Sequence, residues 1–430
     1  MRAAFYTLGC KVNQYETQIL MQQFSADGFD IVTPEEEADI YVVNSCTVTS
    51  TGDKKTRQVL RRLRRQSPAA VLALTGCYSQ AFPQEAANQL PEVNIFTGTG
   101  NKTKILSHVK AFLQSGQRII DIPPHSREEG LEQMHASSFI ERTRAFVKIE
   151  DGCEHFCSYC IIPYARGFVR SKPLEELNTE LYDLSLAGFK EVVLVGIDLS
   201  SYGKDLGLRL IDAVCAACAT PGLERVRLGS LEPDLLSDQD LKTLSSLPSF
   251  CPQFHLSMQS GCDATLKRMN RHYTAGQYRQ MVDKIRSYFP NCAITTDIMV
   301  GFPGETEEEF QQSLAFSQEV SFAKAHIFAY SVREGTQAAK MAEQIPQKVK
   351  EQRSHLLSAA MEECRRAFLH QQVGRTENVL FETDVVEGGY MGYTKNYTPV
   401  WVSCPQDIRG QSLPVKITGC DSEKCTGALA

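Results

Sequence analysis

The chain has 430 residues, enough for two or three domains, and its 45 Lys and Arg against 51 Asp and Glu leave a net charge of −6. A pI near 5.9 excludes a surface coated for nucleic acid, so any RNA contact must be a local patch. Fifteen cysteines follow an N-terminus too soon broken by Gly9 and Lys11 to be a signal segment, which predicts metal ligation or buried thiols rather than a disulfide framework. No apolar run approaches the ~20 residues that span a bilayer, and the expectation is a cytoplasmic protein without a membrane partner.

Apolar runs at 2–8, 40–43 and 71–74 alternate with helical patterns near 15–27, 53–66 and 84–90. That alternation predicts parallel strands with crossover helices, an α/β domain over residues 1–120. A cysteine stands at the end of each of the three strands: Cys10 in Thr-Leu-Gly-Cys, Cys46 in Val-Asn-Ser-Cys and Cys77 in Leu-Thr-Gly-Cys. Parallel strands bring their carboxyl ends to one edge, so these three are expected to converge; buried thiols capping strands by chance is the plain alternative. The second helix carries Lys54, Lys55, Arg57, Arg61, Arg62, Arg64 and Arg65, with Val59, Leu60 and Leu63 on its apolar side. A solvated helix face would intersperse Glu at i,i+4, and its absence makes this a candidate phosphate-contacting face.

Residues 121–139, with Pro123, Pro124, Ser137 and Ser138, read as a linker. Past it, Asp151 to Cys160 place Cys153, Cys157 and Cys160 in a Cys-x3-Cys-x2-Cys loop just after a predicted strand. Three thiolates so close can hold three corners of an iron–sulfur cube and leave the fourth iron open, whereas structural zinc would want a fourth ligand such as His155. Predicted strands at 145–150, 191–195, 224–229, 253–258, 293–300 and 324–330 with helices between them suggest a (β/α)6 partial TIM-type barrel, domain 139–369, with its loop ends on one face. Those ends carry Gly196, Glu232, Gln259 and Ser260, with Asp297 nearby, and these are the candidate cofactor-binding residues. A helix near 347–371 leads into short, turn-punctuated apolar runs at 378–383, 397–403 and 413–418, a small all-β barrel over 370–430 in whose core Trp401 is expected.

The spacing of Cys153, Cys157 and Cys160 resembles the signature of radical S-adenosylmethionine (SAM) enzymes. Thr7 to Asn13, Asn44 to Thr49, Thr75 to Tyr78 and Gly152 to Gly167 are together similar to the motifs of the methylthiotransferases within that superfamily, as are Leu256 to Gly261, Gly301 to Thr306 and Tyr330 to Thr336. The terminal barrel resembles a TRAM domain, although from Gln372 onward it carries five Lys and Arg against seven Asp and Glu. Lys11 to Glu16 and Thr51 to Lys55 are most similar to the subgroup acting on N6-threonylcarbamoyladenosine of tRNA.

The resemblance implies two 4Fe-4S clusters and SAM as cofactors. Cys153, Cys157 and Cys160 would hold the cluster that cleaves SAM to a 5′-deoxyadenosyl radical, and Cys10, Cys46 and Cys77 an auxiliary cluster bearing the sulfur. The implied product is the 2-methylthio derivative of the base beside the anticodon; tRNA, an electron donor such as flavodoxin or ferredoxin, and an unidentified sulfur donor are the implied partners. Lys54, Lys55, Arg57, Arg61, Arg62 and Arg65 are the expected RNA contacts, extended by Arg142, Arg144, Arg166, Arg170 and Lys172 around the second cysteine loop. Rival readings are the same chemistry on isopentenyladenosine or on a ribosomal-protein aspartate, and a non-catalytic iron–sulfur RNA-binding sensor, which would need no SAM.

Overall fold

The computed structural model describes residues 1–137, 143–233, 236–386 and 388–430. In the first hundred residues the apolar runs become buried parallel strands: β1 (Arg2–Thr7), β2 (Asp30–Val32), β3 (Ile40–Ser45), β4 (Val71–Gly76), β5 (Ile95–Thr97) and β6 (Ile119–Asp121). They form one sheet in the order β2-β1-β3-β4-β5-β6. Strands β2, β5 and β6 escaped sequence analysis because each is three residues long, too short to establish a period. Helices α1 (Lys11–Ala26) and α2 (Ser50–Gln66) begin directly after the ends of β1 and β3. Thr49 caps α2 by accepting from the Gly52 amide at 3.1 Å, and Asp53 in its first turn with Arg64 and Arg65 in its last complement the helix dipole.

The second unit is an arc of parallel strands: β7 (Arg144–Lys148), followed by the short antiparallel pair β8 (Glu150–Asp151) and β9 (Arg170–Ser171), then β10 (Glu191–Val195), β11 (Arg225–Leu228), β12 (Ser230–Leu231), β13 (Gln253–Leu256), β14 (Ala293–Val300) and β15 (Lys324–Ala329). Strand order runs β7-β10-β11, and after Gly229 the chain continues as β12-β13-β14-β15. Six positions of the arc therefore match the six predicted strands. No ladder joins β7 to β15 among the described residues, so the barrel is open on one side.

Val12, Tyr15 and Ile19 of α1 are buried in the barrel's own core, together with Met134 and Ala136. The stretch read as a linker is therefore packed rather than free: Gln80 donates to Pro123 O at 2.9 Å, Thr103 donates to Glu132, and Tyr15 Oη donates to Met134 O at 2.8 Å. Small and polar residues suggested slack there, while tertiary burial decided otherwise; Ser138 and Arg142 lie outside the described residues.

A 26-residue helix, Gln347–Gln372, leads to a closed five-stranded barrel of β16 (Thr376–Val386), β17 (Gly389–Tyr393), β18 (Pro399–Val402), β19 (Ser412–Cys420) and β20 (Cys425–Leu429). Its core is Val379, Phe381, Val400, Val402, Val415 and Ile417. Trp401 alternates away from that core and lies half-buried with its indole N–H donating to Val386 O at 2.9 Å, which corrects its expected place.

Candidate active site

Registers Thr7↔Asn44, Asn44↔Thr75 and Ser45↔Gly76 level the ends of three adjacent strands. Cys46 and Cys77 follow the last residues of β3 and β4 immediately, and Cys10 precedes α1. Gly9 makes the close approach possible: its φ is +101°, and a Cβ there would lie 2.7 Å from Cys46 Cβ and 2.9 Å from its sulfur. Burial pushes the Cys46 thiol up to about 12, with Cys77 adding to it, and raises Cys10 as well. Thiols in this state shed their protons on binding metal, which couples loading to proton release.

Cys153, Cys157 and Cys160 occupy the loop after β8. Gly152 opens it at φ +101°, where a Cβ would fall 1.9 Å from Phe168 O. The loop is clamped from the stretch before Tyr273: Asn270 Nδ2 donates to Phe156 O at 3.1 Å, Ser158 N to Met269 O at 3.0 Å, and Arg271 Nη1 to Cys157 Sγ at 3.3 Å. Burial, then the Cys157 charge, lift the Cys160 thiol to about 12. Arg166, which ends the short helix Ile162–Arg166 just after this loop, donates to Cys77 Sγ at 3.2 Å, so the two triads face each other.

Between them sits a buried charge network that sequence analysis missed. Arg166 has no exposed surface and donates to Glu16 Oε1 at 2.6 Å, Asn13 Oδ1 at 2.6 Å, Asp151 Oδ2 at 3.1 Å and Cys77 Sγ at 3.2 Å. Lys148 bonds Glu16 at 3.0 Å and Asp151 at 3.1 Å, and Lys102 bonds Glu16. Burial alone would raise the Glu16 carboxyl, and Arg166, Lys102 and Lys148 outweigh it, holding it well below the usual carboxylate range. Three cations against two carboxylates leave one positive charge in excess beside the first triad. That is the sign an anionic thiolate cluster requires.

The donor sets fit two open-iron clusters. Each triad offers three thiols, and the guanidiniums of Arg166 and Arg271 donate to Cys77 Sγ and Cys157 Sγ, contacts that suit the sulfurs of an anionic cluster. His155, the alternative fourth ligand for zinc, has Nε2 3.0 Å from Asp198 Oδ2 instead.

Of the candidate cofactor residues, Gly196 directly follows β10, where a Cβ would lie 2.5 Å from Glu150 Oε2. Glu150 is fully buried, which with Asp151 beside it pushes its carboxyl well above the usual range, and its Oε1 has no hydrogen-bond partner, which fits a polar ligand group arriving at this lip. Glu232 pairs with Arg271 and so stands one residue from Cys157. Gln259, at φ +61°, exchanges backbone hydrogen bonds with Asp297 O and Met299 N. Ser260 is not brought to the opening: it is buried, its hydroxyl accepts from the Cys262 amide at 3.2 Å, and the adjoining Gly261 packs on Phe316. Asp297 lies deeper, 3.3 Å from His255 Nε2.

On α2, Lys54, Lys55, Arg61, Arg62 and Arg65 are exposed and Arg57, whose guanidinium donates to Tyr78 Oη at 3.0 Å, is half-buried. Arg64 is spent on Pro68 O, Ala70 O and Glu92 O. Four members of the expected extension around the cysteine loop are engaged elsewhere, Arg142 lying outside the described residues: Arg166 is in the buried network, Arg170 bridges Glu129 at 2.9 Å, Lys172 is buried on Glu180, and Arg144 pairs with Glu382. Cations flanking a cysteine loop read alike in sequence whether they face solvent or carboxylates. The largest of the described cavities, about 820 Å³, lies away from the cysteines, between β15, the 26-residue helix and Tyr393 and Tyr397 of the terminal barrel.

Residues 2–98 match the family described as Uncharacterized protein family UPF0004, and residues 147–317 match the Radical SAM superfamily. Among solved structures, the radical S-adenosylmethionine methyltransferase TsrM from Kitasatospora setae, with tryptophan and a SAM analogue bound, shares the fold at a TM-score of 0.58 and 12% identity, over 84% of this chain and 89% of that one. A tRNA-2-methylthio-N(6)-dimethylallyladenosine synthase of Clostridium novyi is 33% identical over 98% of this chain and 95% of its own. The threonylcarbamoyladenosine tRNA methylthiotransferase MtaB of Bacillus subtilis is 38% identical over 96% of this chain and 93% of its own, and that of Aquifex aeolicus 36% over 93% and 96%. With two thiol triads facing each other and likeness of this extent, the chain belongs to the radical SAM methylthiotransferase family.

Proposed function

We propose that this protein converts N6-threonylcarbamoyladenosine, beside the anticodon of tRNA, to its 2-methylthio derivative. The observation that carries the reading is the opposition of two cysteine triads at the carboxyl ends of two parallel sheets, linked through Arg166. When bound, SAM and the two 4Fe-4S clusters supply the radical and sulfur chemistry that replaces an unactivated C–H by C–S–CH3. Cys153, Cys157 and Cys160 hold one cluster and Cys10, Cys46 and Cys77 the other. Arg271 orients Cys157, and Arg166 offsets charge at Cys77. Gly196, Glu232 and the Gln259 backbone bound the cofactor site, with Glu150 Oε1 as an unpartnered carboxyl oxygen.

The exposed cations Lys54, Lys55, Arg61, Arg62 and Arg65 bind RNA phosphate, α2 starting beside Cys46 so that its basic face leads from the site. The terminal barrel's Lys395 and Lys416 are instead tied to Pro248 O and Gly374 O. Phe156 and Tyr164, both exposed and in edge contact at 6.0 Å, border a cavity of about 440 Å³ reaching Cys153, and an electron donor such as flavodoxin or ferredoxin approaches there.

The test is mass spectrometry of nucleosides from total tRNA of cells with and without the gene. Loss of 2-methylthio-N6-threonylcarbamoyladenosine on deletion, restored by the wild type but not by Cys10→Ala or Cys153→Ala, is expected. Persistence of that nucleoside in the deletion strain overturns the assignment.

A further inference from the structure

Below the cysteines the open barrel is lined by charge. At the amino ends of its strands Arg144, Glu191, Arg225 and Arg227 cluster: Glu191 lies 3.1 Å from Arg227, 3.8 Å from Arg225 and 3.9 Å from Arg144. The floor is Tyr397, whose hydroxyl accepts from Arg144 Nη1 at 2.7 Å and whose ring, stacked on Tyr393 at 4.5 Å, has Arg144 at 5.1 Å and Arg227 at 4.6 Å. Higher up the wall, His255 meets Asp297 at 3.3 Å and faces His326 with ring centroids 6.2 Å apart.

Lys11 opens α1 immediately after Cys10, and its exposed side chain lies within electrostatic reach of this hollow. The charged and titratable groups around it are Arg227, Arg144, Cys10, Glu191 and His326. Glu191 already serves three guanidiniums, and Glu382 takes Arg144, so four cations counting Lys11 share two carboxylates. Among the described residues Lys11 makes no hydrogen bond or ion pair, and its side chain remains open to solvent. An excess of cation next to the centre where the base must be modified attracts an anionic group on the ligand.

The geometry points to Lys11, backed by Arg144 and Arg227, as the residue that receives the carboxylate of the N6-threonylcarbamoyl group while the adenine lies nearer the cysteines. This rests on the substrate reading above and deepens it: Arg144 and Arg227 keep Glu382 and Glu191 in any case, whereas an uncharged N6-alkyl group would leave Lys11 without an anion, so Lys11 sets specificity for the acidic nucleoside. It is a substrate-binding residue and takes no part in bond making.

The test uses iron-loaded, anaerobically purified enzyme and three anticodon stem-loops, carrying N6-threonylcarbamoyladenosine, its carboxylate methyl ester, or unmodified adenosine. The wild type is expected to bind the acid about 10–100-fold tighter than the ester, the range of a charge-assisted hydrogen bond. Lys11→Met should bring the acid down to the ester's affinity, leave ester and unmodified loops unchanged and keep all iron; Lys11→Arg should retain most of the discrimination. If Lys11→Met weakens all three loops equally, the lysine binds phosphate; if it sheds iron while still preferring the acid, the lysine serves the cluster; either result overturns the proposal. Failure of the wild type to methylthiolate the acid-bearing loop would instead overturn the substrate reading itself.

Discussion

Replacing Arg166 by methionine would remove one cation from the charge network between the triads while keeping the volume of its stem. The guanidinium donates to Glu16, Asn13, Asp151 and Cys77 and has no exposed surface. Deleting one partner of a buried ion pair costs about 3–5 kcal/mol where a charge is left alone. Here Glu16 keeps Lys102 and Lys148, and Asp151 keeps Lys148 at 3.1 Å, so neither carboxylate is stranded and the low end, about 3 kcal/mol, applies. At ~2–4 °C per kcal/mol, the transition of the two packed α/β units falls by roughly 6–12 °C in scanning calorimetry. Because Cys77 also loses its neighbouring cation, iron and labile sulfide should drop toward one cluster per chain, while Arg166→Lys, which keeps the charge but not the fork, falls between. A methionine variant that melts with the wild type and holds its full iron would refute the view that this network supports the first triad.

Gly152→Ala puts a Cβ 1.9 Å from Phe168 O at a φ of +101°, and should destabilise by about 3 kcal/mol and lose the cluster absorbance of the second triad; a fully loaded variant refutes the cradle. Reversing charge at Arg61, Arg62 and Arg65 should weaken tRNA binding, with a shallower salt dependence and unchanged iron content; unchanged affinity in a filter-binding titration removes α2 from the interface. Burial would raise the Glu191 carboxyl, but Arg227, Arg144 and Arg225 together hold it below its ordinary 4.5, so its stabilisation is present above that pH and is lost as pH falls through the lower folded value. Glu191→Gln should therefore cost about 3 kcal/mol near pH 7, with the gap to the wild type closing below about pH 4.5 in urea titrations, and a gap independent of pH refutes the assignment.

Strong periods and terminal residues made much of the architecture legible. Six apolar runs between 145 and 330 alternate with helices, and the arc of β7 to β15 has a strand at each. Cys10, Cys46 and Cys77 could be brought together on paper because parallel strands fix where their ends go, whatever their separation in the chain. Partners that come from other elements were not legible. Arg271 reaches Cys157 across 114 residues and Arg166 reaches Glu16 across 150, and neither contact leaves a local pattern. A hint lay in Arg268 to His272, where cations flank Asn270, which takes a positive φ of 57°. Ser260 failed for the opposite reason: small polar residues at a strand end suit a ligand site and a self-capped turn equally well.

The placement of cations explains how an acidic chain can serve an anionic substrate. Lys102, Lys148, Arg166, Arg170, Lys172, Arg225 and Arg227 are all buried, each in contact with a carboxylate, so they add little to the outer field. Over much of the surface the net charge of −6 is then felt as repulsion of RNA. The exposed run on α2 breaks that repulsion at a helix that starts beside Cys46, and Lys11 continues it inward beside Cys10. On the function proposed above, these cations draw a nucleic acid toward the cysteines. On this arrangement the charge-reversed α2 chiefly slows association, while the Lys11 substitution speeds release of the acid-bearing loop alone, so the two sites separate in stopped-flow kinetics.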